Sequence, residues 1–110
     1  MNKKRKKILH NDKMSKFMFH EGNKLEFKIA NPKTKKKYEV KITFKDPFKK
    51  PKIVRFGSLQ HKHYKDRIGF FSHLDHNNVQ RRKLFYNRFR SLLKKTKKYS
   101  PMYFSAKFLW

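Results

Sequence analysis

Cysteine is absent from this 110-residue chain, which excludes disulfides, Cys-type zinc fingers and thiol catalysis. Glycine is scarce: Gly22, Gly57 and Gly69 are the only three, and none opens a Gly-rich phosphate loop or a nucleophile elbow. No apolar run approaches the ~20 residues of a membrane span. The N-terminus is basic but no long apolar stretch follows it, so it does not read as a signal peptide. Acids are few as well. Seven Asp+Glu stand against 32 Lys+Arg, a formal net charge of +25.

Such an imbalance opposes folding through self-repulsion, and a polyanion relieves it. Nucleic acid is the commonest such partner and an anionic membrane surface the next. Part of the lysine excess also fits an AT-rich genome, which favours Lys, Asn, Ile, Phe and Tyr. The chain is nevertheless not a basic tail alone. Aromatics make up 16 % of it, with 12 Phe, 5 Tyr and 1 Trp, and disordered segments are poor in such residues. The length suits one domain with one modest core.

Residues 1–23 read as a basic flexible arm. Lys3, Lys4, Arg5, Lys6 and Lys7 form a run that suits a nuclear-import signal, a nucleic-acid arm or a solvated tail. Residues 24–110 read as a single α+β domain. Leu25, Phe27 and Ile29 alternate with Glu26 and Lys28. Tyr38, Val40, Ile42 and Phe44 alternate with Glu39, Lys41 and Thr43, and Ile53, Val54 and Phe56 end at Gly57. Period-2 alternation broken by Asn31-Pro32, Asp46-Pro47 and Pro51 predicts an antiparallel meander of about three strands, apolar on one face and Lys-rich on the other. The exposed lysines also guard against edge-to-edge aggregation.

Residues 58–77 look irregular, with a helical turn near Tyr64. Asn77 or Asn78 caps a helix reaching about Lys95, with Phe85, Phe89, Leu92 and Leu93 on one stripe to pack on the sheet. Ser100 and Pro101 begin a short aromatic helix. The final Leu109-Trp110 suits docking into a core or a partner.

Two constellations could carry chemistry. The segment 61–76 holds four of the six His (His61, His63, His73, His76) with Asp66 and Asp75. These are metal-capable ligands, and His63 with Asp66 could serve general acid–base chemistry. Their spacing matches no standard metal motif, and loop hydrogen bonds explain them more simply, so neither metal, cofactor nor catalysis is expected. The second constellation is cationic. Arg81, Arg82, Arg88 and Arg90 can contact phosphate bidentately, and Lys94 and Lys95 add charge. Arg55, Arg67 and the basic arm complete the expected nucleic-acid surface. Tyr64, Phe70, Phe71 or Tyr86 could stack on unpaired bases.

Several segments together carry a resemblance: Arg55-Phe56-Gly57-Ser58, His63-Tyr64-Lys65-Asp66-Arg67, Ser72-His73-Leu74-Asp75-His76-Asn77, the Arg81-Arg82 helix, and the closing run from Lys98 to Trp110. Over about residues 37–110 the chain resembles a family of small basic proteins of unknown function from large and giant nucleocytoplasmic DNA viruses. It departs from that pattern at Arg88-Phe89-Arg90, where relatives often carry Arg-His, and at Asn78, where an acid is common. The resemblance implies a viral source, a virion- or genome-associated role, and a location in the virion or in the host cytoplasm or nucleus. The leading expectation is a non-enzymatic, sequence-independent nucleic-acid binder, with DNA favoured over RNA. The alternatives are a minor capsid or structural virion protein meeting acidic protein or membrane, its aromatic tail docked on a neighbour, and a metal-dependent nuclease built on residues 61–76.

Overall fold

The computed structural model describes residues 15–110, so Lys3, Lys4, Arg5, Lys6 and Lys7 lie outside the described residues. The fold is α+β. Four antiparallel strands, β1 (Ser15–His20), β2 (Asn23–Ile29), β3 (Lys36–Thr43) and β4 (Lys52–Ser58), lie side by side in sequence order. Two helices follow, α1 (Val79–Lys94) and α2 (Pro101–Phe108).

Three strands fall where the alternation predicts them. The sheet has a fourth, β1, inside the segment expected to be a flexible arm. Its alternation runs against intuition: register pairs Lys16 with Phe27 and Met18 with Leu25 on the covered face, and leaves Phe17 and Phe19 on the open one. The turn was the readable signal. Glu21 and Gly22 form a two-residue loop with φ of 52° and 82°, the positive-φ pair that matches hairpin twist.

Leu25, Phe27, Tyr38, Val40, Ile42, Val54 and Phe56 make the covered face, and Phe104, Phe108 and Leu109 close it. The rings interlock: Phe56 and Phe104 stack at 5.3 Å, and Phe27 meets Phe108 at 4.9 Å. It is therefore α2, not α1, that packs on the sheet. Ser100 caps α2 by accepting from the Tyr103 N–H at 3.2 Å, as the Ser-Pro pair predicts. Gly57 is required where it stands. Its φ is +81°, and a Cβ there would lie 2.8 Å from Leu109 Cδ1, so the close seating of Leu109 depends on it.

Residues 59–78 are irregular, with a 3₁₀ turn at Ser72–Leu74 rather than near Tyr64. Buried Asp66 organises this loop. It accepts from the Ile68 and Phe71 N–H groups, each at 2.8 Å, and from the Tyr38 hydroxyl. Burial and the Asp66 carboxylate both push the Tyr38 phenol above its ordinary range.

Candidate nucleic-acid interface

No residue of α1 is fully buried. Its start is fixed by Asn78, whose side chain accepts from the Gln80 and Arg81 N–H groups at 2.9 and 3.1 Å. One stripe docks: Arg82, Phe85, Tyr86, Phe89 and Leu93 are half-buried, spaced as one helical face. Phe85 stacks on the Trp110 indole at 4.5 Å with planes 1° apart, and the Tyr86 hydroxyl donates to the Ala106 carbonyl at 3.1 Å. The partner of this stripe is the C-terminal segment, which corrects the expectation that Phe85, Phe89, Leu92 and Leu93 pack on the sheet. Leu92 is exposed instead.

The free face of α1 is cationic. Arg81, Arg88 and Lys95 recur every seven residues along one edge of the docked stripe, and Lys83, Arg90 and Lys94 line its other edge, all exposed, with Gln80, Leu84, Asn87 and Ser91 between the two rows on the exposed side. At 1.5 Å per residue the first three span about 21 Å. From His76 to Trp110 the chain has ten Lys+Arg and no acid. Lys94 and Lys95 suit the negative end of the helix dipole and would stand there without any partner. Arg81 and Lys83 do not. Arg81 stands in the first turn, where the dipole disfavours a cation by about 0.3–1 kcal/mol and no acid compensates, and Lys83 stands just after it.

The other expected contacts divide. Arg82 sits on the docked stripe: its Nε donates to the Trp110 main-chain oxygen at 2.7 Å and its guanidinium lies over Tyr64 and Tyr86 at 5.3 and 5.0 Å. It fastens the helix and is committed to that task. Arg55 is on the open sheet face, paired with Glu39 at 3.1 Å. Arg67 is exposed beside the Lys107 carbonyl, 3.5 Å from its NH1. Arg90 donates to Asn87 Oδ1 at 2.7 Å within the helix and stays exposed. Phe71 is buried in the core, Phe70 is half-buried and packs against Tyr38, and Tyr64 and Tyr86 hold Arg82, so the aromatics expected to stack on bases are otherwise engaged.

Beyond α1 the cationic surface continues. A groove of about 650 Å³ is lined by Lys45, Lys49, Lys52 and Lys98, with Phe44 and Tyr99 in its wall and Asp46 as its one acid. Lys98 follows directly on the run Lys94, Lys95 and Lys97.

The 61–76 segment is held together by its own hydrogen bonds. Asp75 accepts from His63 Nε2 at 2.6 Å and from the Asp66 N–H at 2.8 Å. Burial keeps the His63 imidazole below its ordinary pKa despite that carboxylate. Ser58 Oγ meets His61 Nδ1 at 2.6 Å, so hydroxyl and carboxylate serve different imidazoles. Among the described residues, no three His, Asp or Glu side chains converge in a metal-binding arrangement. Lys37 is buried in the same region, donating from Nζ to the Ser58 and His61 carbonyls at 2.5 and 2.6 Å. Burial lowers its pKa to about 8.

Several separate segments meet near the C-terminal residues: Gly57 lies under Leu109, Tyr64 contacts Arg82, and His76 is 5.2 Å from Trp110. Comparisons with protein-family models, curated proteins and solved structures find no match. No helix among the described residues is long and apolar enough to cross a membrane.

Proposed function

We propose that this protein binds nucleic acid without catalysis and without reading sequence, through the cationic free face of α1. One observation carries the reading. Arg81, Arg88 and Lys95 line one edge of the exposed surface of α1 and Lys83, Arg90 and Lys94 the other, with no acid on the same helix, while the remaining stripe is docked. A helix so built gains nothing internal from its N-terminal cations, and a phosphate backbone supplies the missing counter-charge.

Binding of this kind is mostly counterion release. With ~6–10 phosphate contacts, affinity falls about 10³–10⁵-fold between roughly 50 and 200 mM salt. Equilibrium titration of an arbitrary duplex across that range is the test, and an affinity that barely changes would sink the reading. The role in a virion or on a viral genome belongs to the proposal and rests on the family resemblance. A structural virion role draws less support, because Phe104, Phe108 and Leu109 are spent on the chain's own core.

A further inference from the structure

Helix α2 and the 59–78 loop cover one face of the sheet and leave the other open. Register places Phe17, Glu26, Lys41 and Ile53 in one row across that open face. The neighbouring rows hold Phe19, Lys24 and Thr43 on one side and Lys28, Glu39 and Arg55 on the other. Phe19 is 73 % exposed and Phe17 55 %. Exposing two phenyl rings to water side by side is unfavourable for an isolated domain. The chain could have avoided it by exchanging them with Lys16 and Met18, which point toward the core.

The chemistry around the rings is specific. Lys24 and Lys28 stand on the adjoining strand, with Lys41 and Arg55 further across the face; of the two acids there, Glu26 lies directly opposite Phe17 and next to Lys41. Glu39 is bonded to Arg55 at 3.1 Å and lies 3.9 Å from Lys28, so its charge is already matched. The Lys24 ammonium sits over one face of the Phe17 ring at 4.5 Å; unlike the Arg82 guanidinium, it is exposed and makes no hydrogen bond among the described residues, so it can swing from the ring to a phosphate. Side chains two apart on a strand are about 6.8 Å apart, twice the ~3.4 Å rise of stacked bases. Two rings at that spacing accept one base each, or one base between them.

We propose that the open sheet face is a second nucleic-acid site, taking a single strand with its bases on Phe17 and Phe19 and its phosphates on Lys24, Lys28 and Lys41. Stacking of this kind is sequence-tolerant, because every base offers a π-face. A duplex keeps its bases in the helix and cannot use the rings. The proposal rests on the nucleic-acid reading given above but uses different residues from α1, so the two can fail separately.

The test is binding of an oligothymidine of about 12 nucleotides and of a matched duplex by the full chain, comparing wild type with F17A/F19A and F17L/F19L. Both residues are exposed, and circular dichroism and thermal melting check that the variants stay folded. The expected result is a loss of about tenfold or more for the single strand in both variants. The leucine variant shows the loss because it keeps apolar bulk without a π-face. Duplex affinity should stay within about twofold of wild type, since α1 is untouched. Unchanged single-strand affinity, equal losses on both probes, or full rescue by leucine would each overturn the sheet site while leaving the α1 reading intact. A wild-type chain that binds neither probe would overturn both.

Discussion

Arg82 and Trp110 form the joint that carries the basic helix. The Arg82 Nε–H donates to the Trp110 main-chain oxygen at 2.7 Å, and one turn further on Phe85 lies flat against the indole. A cation and an aromatic that composition alone would assign to a ligand are here spent on each other.

Truncating that joint should therefore damage stability. Trp110→Ala removes the ring under Phe85 and beside His76, and a half-buried aromatic in such contact is worth about 2–3 kcal/mol. Trp110→Phe should keep most of it. Chemical denaturation of the three proteins checks the order.

Arginines on the two sides of α1 should separate by readout. Arg82→Ala loses a hydrogen bond and two cation–π contacts, about 2 kcal/mol of stability. Arg88→Ala changes stability by less than about 0.5 kcal/mol, because its side chain is exposed and only flanks Phe89. It should instead weaken duplex binding. Melting curves and binding isotherms on the two variants distinguish the roles.

The loop over the sheet depends on Asp66. In Asp66→Asn, one acceptor oxygen becomes an NH₂, which then faces either the Ile68 N–H at the Oδ1 position or the Phe71 N–H and the Tyr38 hydroxyl at the Oδ2 position. Leaving buried donors unmatched costs about 2–4 kcal/mol in total. Tyr38→Phe removes one of the three and also the acceptor of the Phe70 N–H, 3.0 Å away, and should cost about 1–3 kcal/mol. Urea denaturation tests both, and an Asn variant as stable as wild type would contradict this account of the loop.

Lys37 gives a pH signature. Its folded pKa is about 8 against an ordinary 10.5, so between those values the unfolded chain holds more protons. Stability should then rise with pH across about 8 to 10, by up to ~3 kcal/mol from this group. Below pH 8 both states are protonated and the contribution is flat. Above about 10 the raised Tyr38 pKa acts in the opposite sense, since the unfolded phenol ionises first. General relief of charge repulsion also favours the folded state at alkaline pH, so the quantity to measure is the difference from Lys37→Met. That variant should lack the extra slope.

Three strands, both helices and both caps were legible in the sequence, because alternation and the Asn78 and Ser100-Pro101 signals act locally. What escaped was set by tertiary contact. β1 presents Phe17 and Phe19 outward and Lys16 inward, where Lys16 Nζ donates to the Ile68 carbonyl at 2.5 Å, a partner 52 residues away. Hydrophobic alternation reads that strand upside down or not at all. The apolar stripe of α1 was legible, but its partner was not: periodicity says which side docks and is silent on whether sheet or C-terminal segment receives it. Of the expected site, Arg81, Arg88 and Lys95 stand exposed along one edge of α1 and Arg90 and Lys94 along the other. Arg82 belongs to the joint, a role that only the placement of Trp110 reveals.

The most direct measurement is the salt dependence of duplex binding by wild type and by the triple variant Arg81→Ala, Arg88→Ala, Arg90→Ala. If the free face of α1 carries the phosphates, the plot of log affinity against log salt should be steep for wild type. Each lost contact should reduce the slope by about 0.9, so by about 2–3 in the triple variant. The melting temperature should not fall. Identical slopes in the two proteins would contradict the account and place the binding elsewhere.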